Sequence, residues 1–361
     1  MMRRRLIFWR RRHCLSSSCV VAPGYRWLEA GVSQSPVLGR HRAKLHPGLY
    51  KLDVKKEWLV VEEETYGRDM LMKEAVYRSS EREAVVARAA EEEKAEEEVS
   101  AEEEVFELVA EFLTTRYPDI FRFEGKNKNA IRVCKGAYDR VVTRGENALE
   151  AASLLCQEDL LLLRDDRLVS SACVFSFGAV RRRTGQSLDA IHEKVGGYAR
   201  DLGRIVNTAI TKVTVERPLW RSNWSFSLTD SMRPSVDRDF LNLEKRRQVH
   251  GERTSLNVDD VRQATLDFFQ EKGGIGKALF CKIEYQTLRR LPKSQVVLFT
   301  VHTYVEPFDR LTPKAADHLA QNIHLASIHD IALYKNLTDP ALTALILNYL
   351  QDLASSPPPL R

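Results

Sequence analysis

Residues 283–307 read IEYQTLRRLPKSQVVLFTVHTYVEP, and this stretch decides the fold because it contains two long apolar segments joined by a turn. Alternating apolar residues predict strands at 279–288 and 296–305. In the second strand the odd-numbered residues face one way and the even-numbered residues the other, and we expect one side to be drier than its partner. Pro292 lies in the connection, where it removes no ladder hydrogen bond.

The chain before this stretch supplies further strands and short helices in a fixed order. The strands are expected at 160–163, 169–177 and 224–228, and the helices at 179–184, 187–192 and 200–213. The first two strands flank a polar turn and form a candidate β-hairpin, and Ser187 is the expected N-cap of its helix. Two strands, then short helices, then three antiparallel-compatible strands is the order of a PAS domain. We therefore predict an α+β fold with a PAS-like antiparallel sheet core, short helices, and N- and C-terminal helices packed around it.

Composition divides the chain into five regions. They are a disordered leader at 1–45, a mostly helical region at 46–150, the PAS-like core at 151–310, C-terminal helices at 311–354 and a disordered tail at 355–361. The mostly helical region contains the acidic run AAEEEKAEEEVSAEEE at 89–104, whose strong helix formers predict a solvated helical extension. A partner-binding acidic face is the alternative.

Positive charge is concentrated at the N-terminus. Residues 1–52 hold eleven Lys or Arg and one acid and carry +10; the whole chain carries +5, so residues 53–361 carry −5. This mildly acidic body argues against nucleic-acid binding as the main function. The leader is rich in Arg, contains Ser and has no acid before Glu29, which is typical of an organellar transit peptide. We expect a mitochondrial rather than a plastid protein, or a cytoplasmic one if the leader is only a basic tail.

The sequence lacks the motifs of several other protein classes. No apolar run approaches the ~20 residues that cross a bilayer, so no membrane span is expected. The six cysteines form no C-x-x-C pair, which argues against a zinc or iron–sulfur site. The GGIG at 273–276 has no Lys-Ser/Thr after it, and no NAD or flavin motif is present.

Polar and aromatic side chains cluster at or beside the ends of the core strands. They are Arg221, Asn223, Trp224, Gln286, Thr287, Arg289 and Arg290. An apolar body with clustered polar groups is what a ligand pocket requires. The adjacent Arg289 and Arg290 must point to opposite faces of a strand, so at most one is expected to face a ligand.

His192 is the sharpest single candidate for a ligand-binding residue. It lies at the end of a short predicted helix and before the Gly196–Gly197 pair, which permits close approach of a flat ligand. A neutral imidazole is a standard ligand of haem iron. A histidine taken alone is more often structural, so the spacing leaves both interpretations open.

Four stretches together resemble the alpha subunit of the haem-dependent oxidative N-demethylases and its family of relatives. They are QEDLLLL at 157–163, IHEKVGGY at 191–198, RSNWSFSLTD at 221–230 and QTLRRLP at 286–292. The resemblance runs from about residue 46 to about residue 349. It implies a PAS-like core that binds haem b, with His192 as the metal ligand. Family members tend to read I-H-x-P-V-P-G-Y, whereas Lys194 and Gly196 replace the two prolines here.

The resemblance also implies roles for the clustered residues. The cofactor-binding residues would be His192, Tyr198, Arg221, Asn223, Gln286, Thr287 and Arg289. Arg221 would hold a haem propionate through charge-assisted hydrogen bonds, or else pair with a carboxylate. Trp224 would offer a flat wall to a macrocycle or a methylated ammonium, or else fill the core.

Glu284, Asp230 and Trp224 are the candidate catalytic residues. A carboxylate in a partly apolar pocket would bind a protonated amine and accept its proton before oxidation. Exposed carboxylates are also ordinary at strand ends, so this signal is not specific. Residues 157–159 match the family's Q-E-D, and loop ordering explains them as well as catalysis does.

These observations predict a haem b-dependent oxidoreductase that uses dioxygen to demethylate a small N-methylated amine. Electrons would come from a separate reductase or from other subunits, as the resemblance implies, because this chain shows no flavin, NAD or iron–sulfur motif. Two alternatives stay open. One is a haem-binding PAS sensor or carrier without catalysis, and the other is a haem-free structural or interaction protein.

Overall fold

The computed structural model describes residues 48–89, 100–178, 180–193, 198, 203–233, 258–327 and 339–356. The predicted leader, most of the acidic run and the Gly196–Gly197 pair lie outside these residues. In the part of the chain that is described, no helix is both long and apolar enough to cross a membrane.

The strands of the described chain, numbered β1 to β10, form two antiparallel sheets. They are β1 Tyr50–Lys51, β2 Val86–Arg88, β3 Phe121–Glu124, β4 Ala130–Lys135, β5 Tyr138–Thr143, β6 Asp159–Arg164, β7 Arg167–Ala172, β8 Leu219–Ser227, β9 Phe280–Arg290 and β10 Val297–Pro307. The large sheet has the order β1-β8-β9-β10-β6-β7-β2, and the small sheet has the order β3-β4-β5. The fold is therefore mixed helix and sheet, as predicted.

The helices of the described chain surround the large sheet. They are α1 Val54–Glu57, α2 Tyr66–Tyr77, α3 Arg82–Val85, α4 Ala101–Arg116, α5 Ala148–Ser153, α6 Leu188–Ile191, α7 Gly203–Lys212, α8 Val258–Glu271, α9 Ile275–Ala278, α10 Pro313–Ser327 and α11 Pro340–Ser355. The predicted N-cap Ser187 is confirmed, because its hydroxyl accepts a hydrogen bond from the Ala190 backbone N–H. Asp339 caps α11, with Pro340 in its first turn.

The stretch at 283–307 forms the two central strands of the large sheet. β9 and β10 pair along their whole length, from Phe280 opposite Pro307 to Arg290 opposite Val297. Pro292 lies in the connection, outside the ladder, as its missing N–H requires. The predicted hairpin is also present as the antiparallel pair β6 and β7, so the order of two strands, short helices and three strands is confirmed.

Cores lie on both faces of the large sheet, and one side of β10 is drier than the other, as predicted. Every even-numbered residue from 298 to 306 is buried, whereas the odd-numbered side is half-buried at 299, 305 and 307. Leu298 packs in the larger core, which includes α4, α5, α10, α11 and the small sheet. Val297 packs on the other face in a second core, which Leu188 of α6 and Ile210 of α7 help to close. A strand covered on two sides reads as a nearly continuous apolar run rather than as a clean alternation.

The region before residue 150 contains strands as well as helices. Helix α2 ends at Tyr77, and Val86–Arg88 forms the edge strand β2 against β7. Residues 121–143 form the small sheet. Gly136, at φ 56°, occupies the tight turn between β4 and β5, a conformation that glycine adopts without strain.

Candidate functional site

Four polar side chains share one face of β8 and β9. Backbone pairing places Arg221 opposite Gln286 and Asn223 opposite Glu284, and directly paired residues point to the same side of a sheet. The Oε2 atom of Glu284 accepts hydrogen bonds from Nδ2 of Asn223 at 3.2 Å and from Nε2 of Gln286 at 2.8 Å. Glu284 and Gln286 are buried, whereas Arg221 and Asn223 are half-buried. We call these four residues the polar strip.

His192 caps the C-terminal end of α6, and its proton position follows from its hydrogen bond. Its Nδ1 atom lies 2.7 Å from the carbonyl oxygen of Leu188. Because a carbonyl oxygen can only accept, Nδ1 carries the proton and Nε2 holds a lone pair. A histidine that binds a metal through Nε2 requires this tautomer, with the other nitrogen donating to a fixed acceptor.

The His192 imidazole lies on the same side of the sheet as the polar strip. Ile191, the residue before it, packs against the second core, and Leu288 of β9 belongs to that core. Leu288 shares its face with Gln286 and Glu284, because alternate residues of a strand point the same way. The sheet therefore brings the predicted metal ligand and the predicted polar pocket residues to one face.

The electrostatics of His192 also connect it with the polar strip. Burial lowers the pKa of His192, the hydrogen bond to the Leu188 carbonyl opposes this shift, and the positive charges of Arg183 and Arg221 lower the pKa further. A lowered pKa keeps the imidazole neutral, which is the form that binds iron. Arg221 thus lies within electrostatic reach of the imidazole.

Tyr198 completes this group of side chains. Its ring stacks on the His192 ring with 4.5 Å between centroids and 11° between planes. The residue is 4% exposed. Two residues of the family motif, His192 and Tyr198, are therefore in direct contact.

Three predicted site residues lie on the opposite face of the sheet. Trp224 is buried in the larger core. The Thr287 hydroxyl forms a 2.6 Å hydrogen bond with the Thr300 hydroxyl. The Arg289 guanidinium lies 4.3 Å from the centre of the Trp58 ring, and burial lowers its pKa.

This placement corrects the prediction that Arg221, Trp224 and Glu284 line one cavity. Trp224 is three residues after Arg221 in the same strand, and an odd spacing places two side chains on opposite sides. The alternative role for Trp224, filling the core, agrees with its burial. Asp230 follows β8 in an exposed turn, outside the polar strip.

The two adjacent arginines point to opposite faces, as predicted. Arg290 donates hydrogen bonds to the carbonyl oxygens of Ile210 and Val213, at 2.9 and 2.8 Å, and so ties β9 to the C-terminal end of α7. Arg289 faces the larger core. Neither residue joins the polar strip.

The Q-E-D stretch orders loops instead of forming part of the polar strip. The Asp159 carboxylate accepts hydrogen bonds from the backbone N–H groups of Val174, Phe175 and Ser176 and from the Ser176 hydroxyl. Oε1 of Glu158 accepts from the Val60 N–H. These bonds hold the chain after β7 and the chain after α1 against the start of β6.

Two further buried residues, Lys73 and His302, belong to this network. Lys73 is fully buried, and its ammonium donates to the carbonyl oxygens of Ser153, Cys156 and Glu158. His302 pairs with Glu158 at 3.0 Å in the core. Their partners are distant in sequence, so spacing alone gives no means of finding them.

The residues present fit a haem group, which needs only one strong ligand from the protein side. His192 offers a neutral imidazole with its Nδ1 proton fixed and its Nε2 lone pair available. Arg221 supplies a cation on the same face of the sheet, as an anionic propionate requires. Among the described residues, no group of three or more His, Cys, Asp or Glu side chains could together hold a metal ion.

Comparison with known families agrees with this geometry. The family model for haem-dependent oxidative N-demethylase, alpha subunit-like proteins matches residues 48–341. The chain belongs to this family. The matched residues of this haem-dependent oxidative N-demethylase alpha subunit-like chain include α6, the polar strip, the second core and the larger core except its residues after 341. No curated protein matches the chain.

Proposed function

We propose that this protein is a haem b-dependent oxidative N-demethylase with a PAS-like core. The observation that carries the proposal is the His192 imidazole, whose Nδ1–H is fixed on the Leu188 carbonyl beside a polar strip on the same face of the sheet. Family membership supplies the expected cofactor and reaction class. In the overall reaction the amine loses its methyl group as formaldehyde. One oxygen atom of dioxygen ends in the formaldehyde, and the other is reduced to water by two electrons and two protons.

His192 would ligate the iron through Nε2, and Arg221 would hold a propionate. When bound, haem b supplies the iron that activates dioxygen. The lowered pKa of His192 keeps its imidazole neutral at physiological pH. The Arg221 side chain is half-buried, and partial burial strengthens a charge-assisted hydrogen bond relative to one in open water.

Glu284 would bind the protonated amine and accept its proton. The carboxylate is 8% exposed, and two side-chain amides donate to the same oxygen atom. Asn223 and Gln286 therefore fix the direction of the carboxylate. An amine must lose its proton before oxidation, and a positioned carboxylate on a buried sheet face is a suitable general base.

Electrons would reach the site from a separate reductase or from other subunits, as the family's "alpha subunit" description suggests. The leader at 1–45 lies outside the described residues, and its composition supports import into an organelle, the mitochondrion rather than the plastid. These two features of the proposal concern partners and location, and they are independent of the site itself.

Haem reconstitution followed by turnover tests the proposal. Purified full-length protein would be titrated with haem, reduced with an artificial donor and supplied with dioxygen and a panel of N-methylated amines. The proposal predicts a Soret band and formaldehyde release that depends on both amine and dioxygen. Haem binding without formaldehyde would support a sensor or carrier instead, and a failure to bind haem would support a haem-free interaction protein.

A further inference from the structure

The contact between Tyr198 and His192 fixes one face of the imidazole ring. The two rings lie nearly parallel, with 4.5 Å between centroids and 11° between planes. One edge of the same imidazole is fixed by the Nδ1–H bond to the Leu188 carbonyl. A ring held at one edge and on one face has little freedom to turn about its Cβ–Cγ bond. The direction of the Nε2 lone pair is thereby set.

The start of α7 lies close against Tyr198. A Cβ atom built on Gly203 would lie 3.2 Å from Cε1 of Tyr198 and 3.4 Å from Oδ1 of Asp189. That Asp189 oxygen also accepts a hydrogen bond from Asn207 of α7. Any residue other than glycine at 203 must therefore displace Tyr198 or Asp189.

The Tyr198 hydroxyl does not contribute to this support. It is buried and forms no hydrogen bond within the described chain. Burial raises the pKa of Tyr198 to about 12, so the hydroxyl stays protonated and the ring uncharged. Phenylalanine would therefore keep the stacking contact, whereas leucine would remove it.

We propose that Tyr198 is a positioning residue that holds the His192 imidazole with Nε2 directed at its ligand. The chain of support runs from α7 through Gly203 to Tyr198 and then to His192. This inference rests on the proposed function of His192 as the metal ligand. In this inference Tyr198 acts on the cofactor by positioning the His192 imidazole, and it does not need to touch the cofactor itself.

The first test uses the haem-free, full-length protein labelled with ¹⁵N-histidine. NMR reports the tautomer of His192, with His192→Asn providing the assignment. The wild type and Tyr198→Phe should show the Nδ1–H tautomer alone. Tyr198→Leu should show a mixture, because the freed ring turns away from the Leu188 carbonyl. A single Nδ1–H tautomer in Tyr198→Leu would overturn the proposal.

The second test measures haem affinity and the spectrum of the bound haem. Tyr198→Leu should weaken haem binding about fivefold and broaden the electron paramagnetic resonance lines, while Tyr198→Phe stays within about twofold of the wild type. Equal losses in both variants would contradict a role for the ring. If the wild type binds no haem, the proposed function fails, but the NMR comparison still decides the role of Tyr198.

Two glycine variants test the same contact without replacing Tyr198, so the proposal can be tested even if a tyrosine variant misfolds. Gly203→Ala keeps the tyrosine side chain but crowds its ring, with a Cβ atom 3.2 Å from Cε1, and it should also produce mixed His192 tautomers. Gly145→Ala is the matched control, since a Cβ there meets no atom within 4 Å. Identical His192 spectra in these two alanine variants, with both folds intact by circular dichroism, would contradict the supporting role of Gly203.

Discussion

At the scale of single residues, a buried carboxylate held by two amides is the centre of the polar strip. Glu284 is fixed by Asn223 across the strand pair and by Gln286 along its own strand. The amides can donate only if their oxygen atoms point elsewhere, so the three side chains orient one another. Replacing the charge while keeping the shape of Glu284 is therefore the most informative change at this site.

Glu284→Gln should leave haem affinity within about twofold of the wild type and reduce amine demethylation at least about tenfold, because it removes the proton acceptor and the negative charge. Haem titration and formaldehyde release measure the two quantities. Glu64→Gln, at an exposed position, is the matched control. Wild-type turnover by Glu284→Gln would remove this carboxylate from the proposed reaction.

Arg221→Ala should weaken haem binding about ten- to a hundredfold, which corresponds to the roughly 1.5–3 kcal/mol of one charge-assisted hydrogen bond. Arg221→Lys should recover part of this loss, since it restores the charge but not the planar fork. Haem titrations of both variants make the comparison. Unchanged haem affinity in Arg221→Ala, with the fold intact, would mean that Arg221 serves only the protein's own electrostatics.

At the scale of elements, Asp159 is the first residue of β6, and its side chain binds the chain that follows β7. Its carboxylate accepts three backbone N–H bonds and one hydroxyl bond at 2.6–2.9 Å. All of these groups are buried. The hairpin thus depends on a carboxylate that an amide cannot replace. The NH₂ group of an amide is itself a donor and cannot accept hydrogen bonds from these N–H and O–H groups.

Asp159→Asn should therefore destabilise the protein by at least about 3 kcal/mol, as buried donors lose their acceptor. For a domain of this size the melting temperature should fall by roughly 6–12 °C. Asp165→Asn is the matched control: Asp165 lies in the exposed β6–β7 turn at φ 54°, which asparagine also tolerates. Equal melting temperatures for the two variants would show that the Asp159 hydrogen bonds contribute little.

Local patterns predicted the elements well wherever each pattern was complete. Alternation in 279–305, Pro292 in the connection and the N-cap Ser187 each identified a local structure that is present. The small sheet was missed although Gly136 marks its tight turn, because the alternating segments beside it are short. The sequence groups Trp224 with Arg221 and also allows it to fill the core; the three-residue spacing from Arg221 already favours the core, because it places the two side chains on opposite faces.

The tertiary contacts could not be predicted from spacing. The approach of Gly203 to Tyr198, the burial of Lys73 among carbonyl groups and the pairing of His302 with Glu158 all join parts of the chain that are distant or separated by loops. Such contacts depend on how the sheet and helices pack. Sequence periodicity describes only which side of an element a residue occupies.

At the scale of the whole molecule, the large antiparallel sheet separates two apolar cores that differ in size and in their distance from the proposed site. The larger core joins the small sheet, α4, α5 and the C-terminal helices, and supplies most of the buried apolar surface. The smaller core lies beneath α6 and α7, on the side that carries His192 and the polar strip. This division lets changes at the proposed site alter binding without removing the main source of stability.

The central claim is that His192 ligates haem iron, and a haem titration of matched variants tests it most directly. Full-length wild type, His192→Ala and the control His324→Ala, at an exposed position of α10, would be compared by Soret absorbance, with circular dichroism to confirm folding. We expect His324→Ala to match the wild type, and His192→Ala to lose or blue-shift the Soret band and to bind haem at least about tenfold more weakly. A Soret band in folded His192→Ala with the position and affinity of the wild type would contradict the claim.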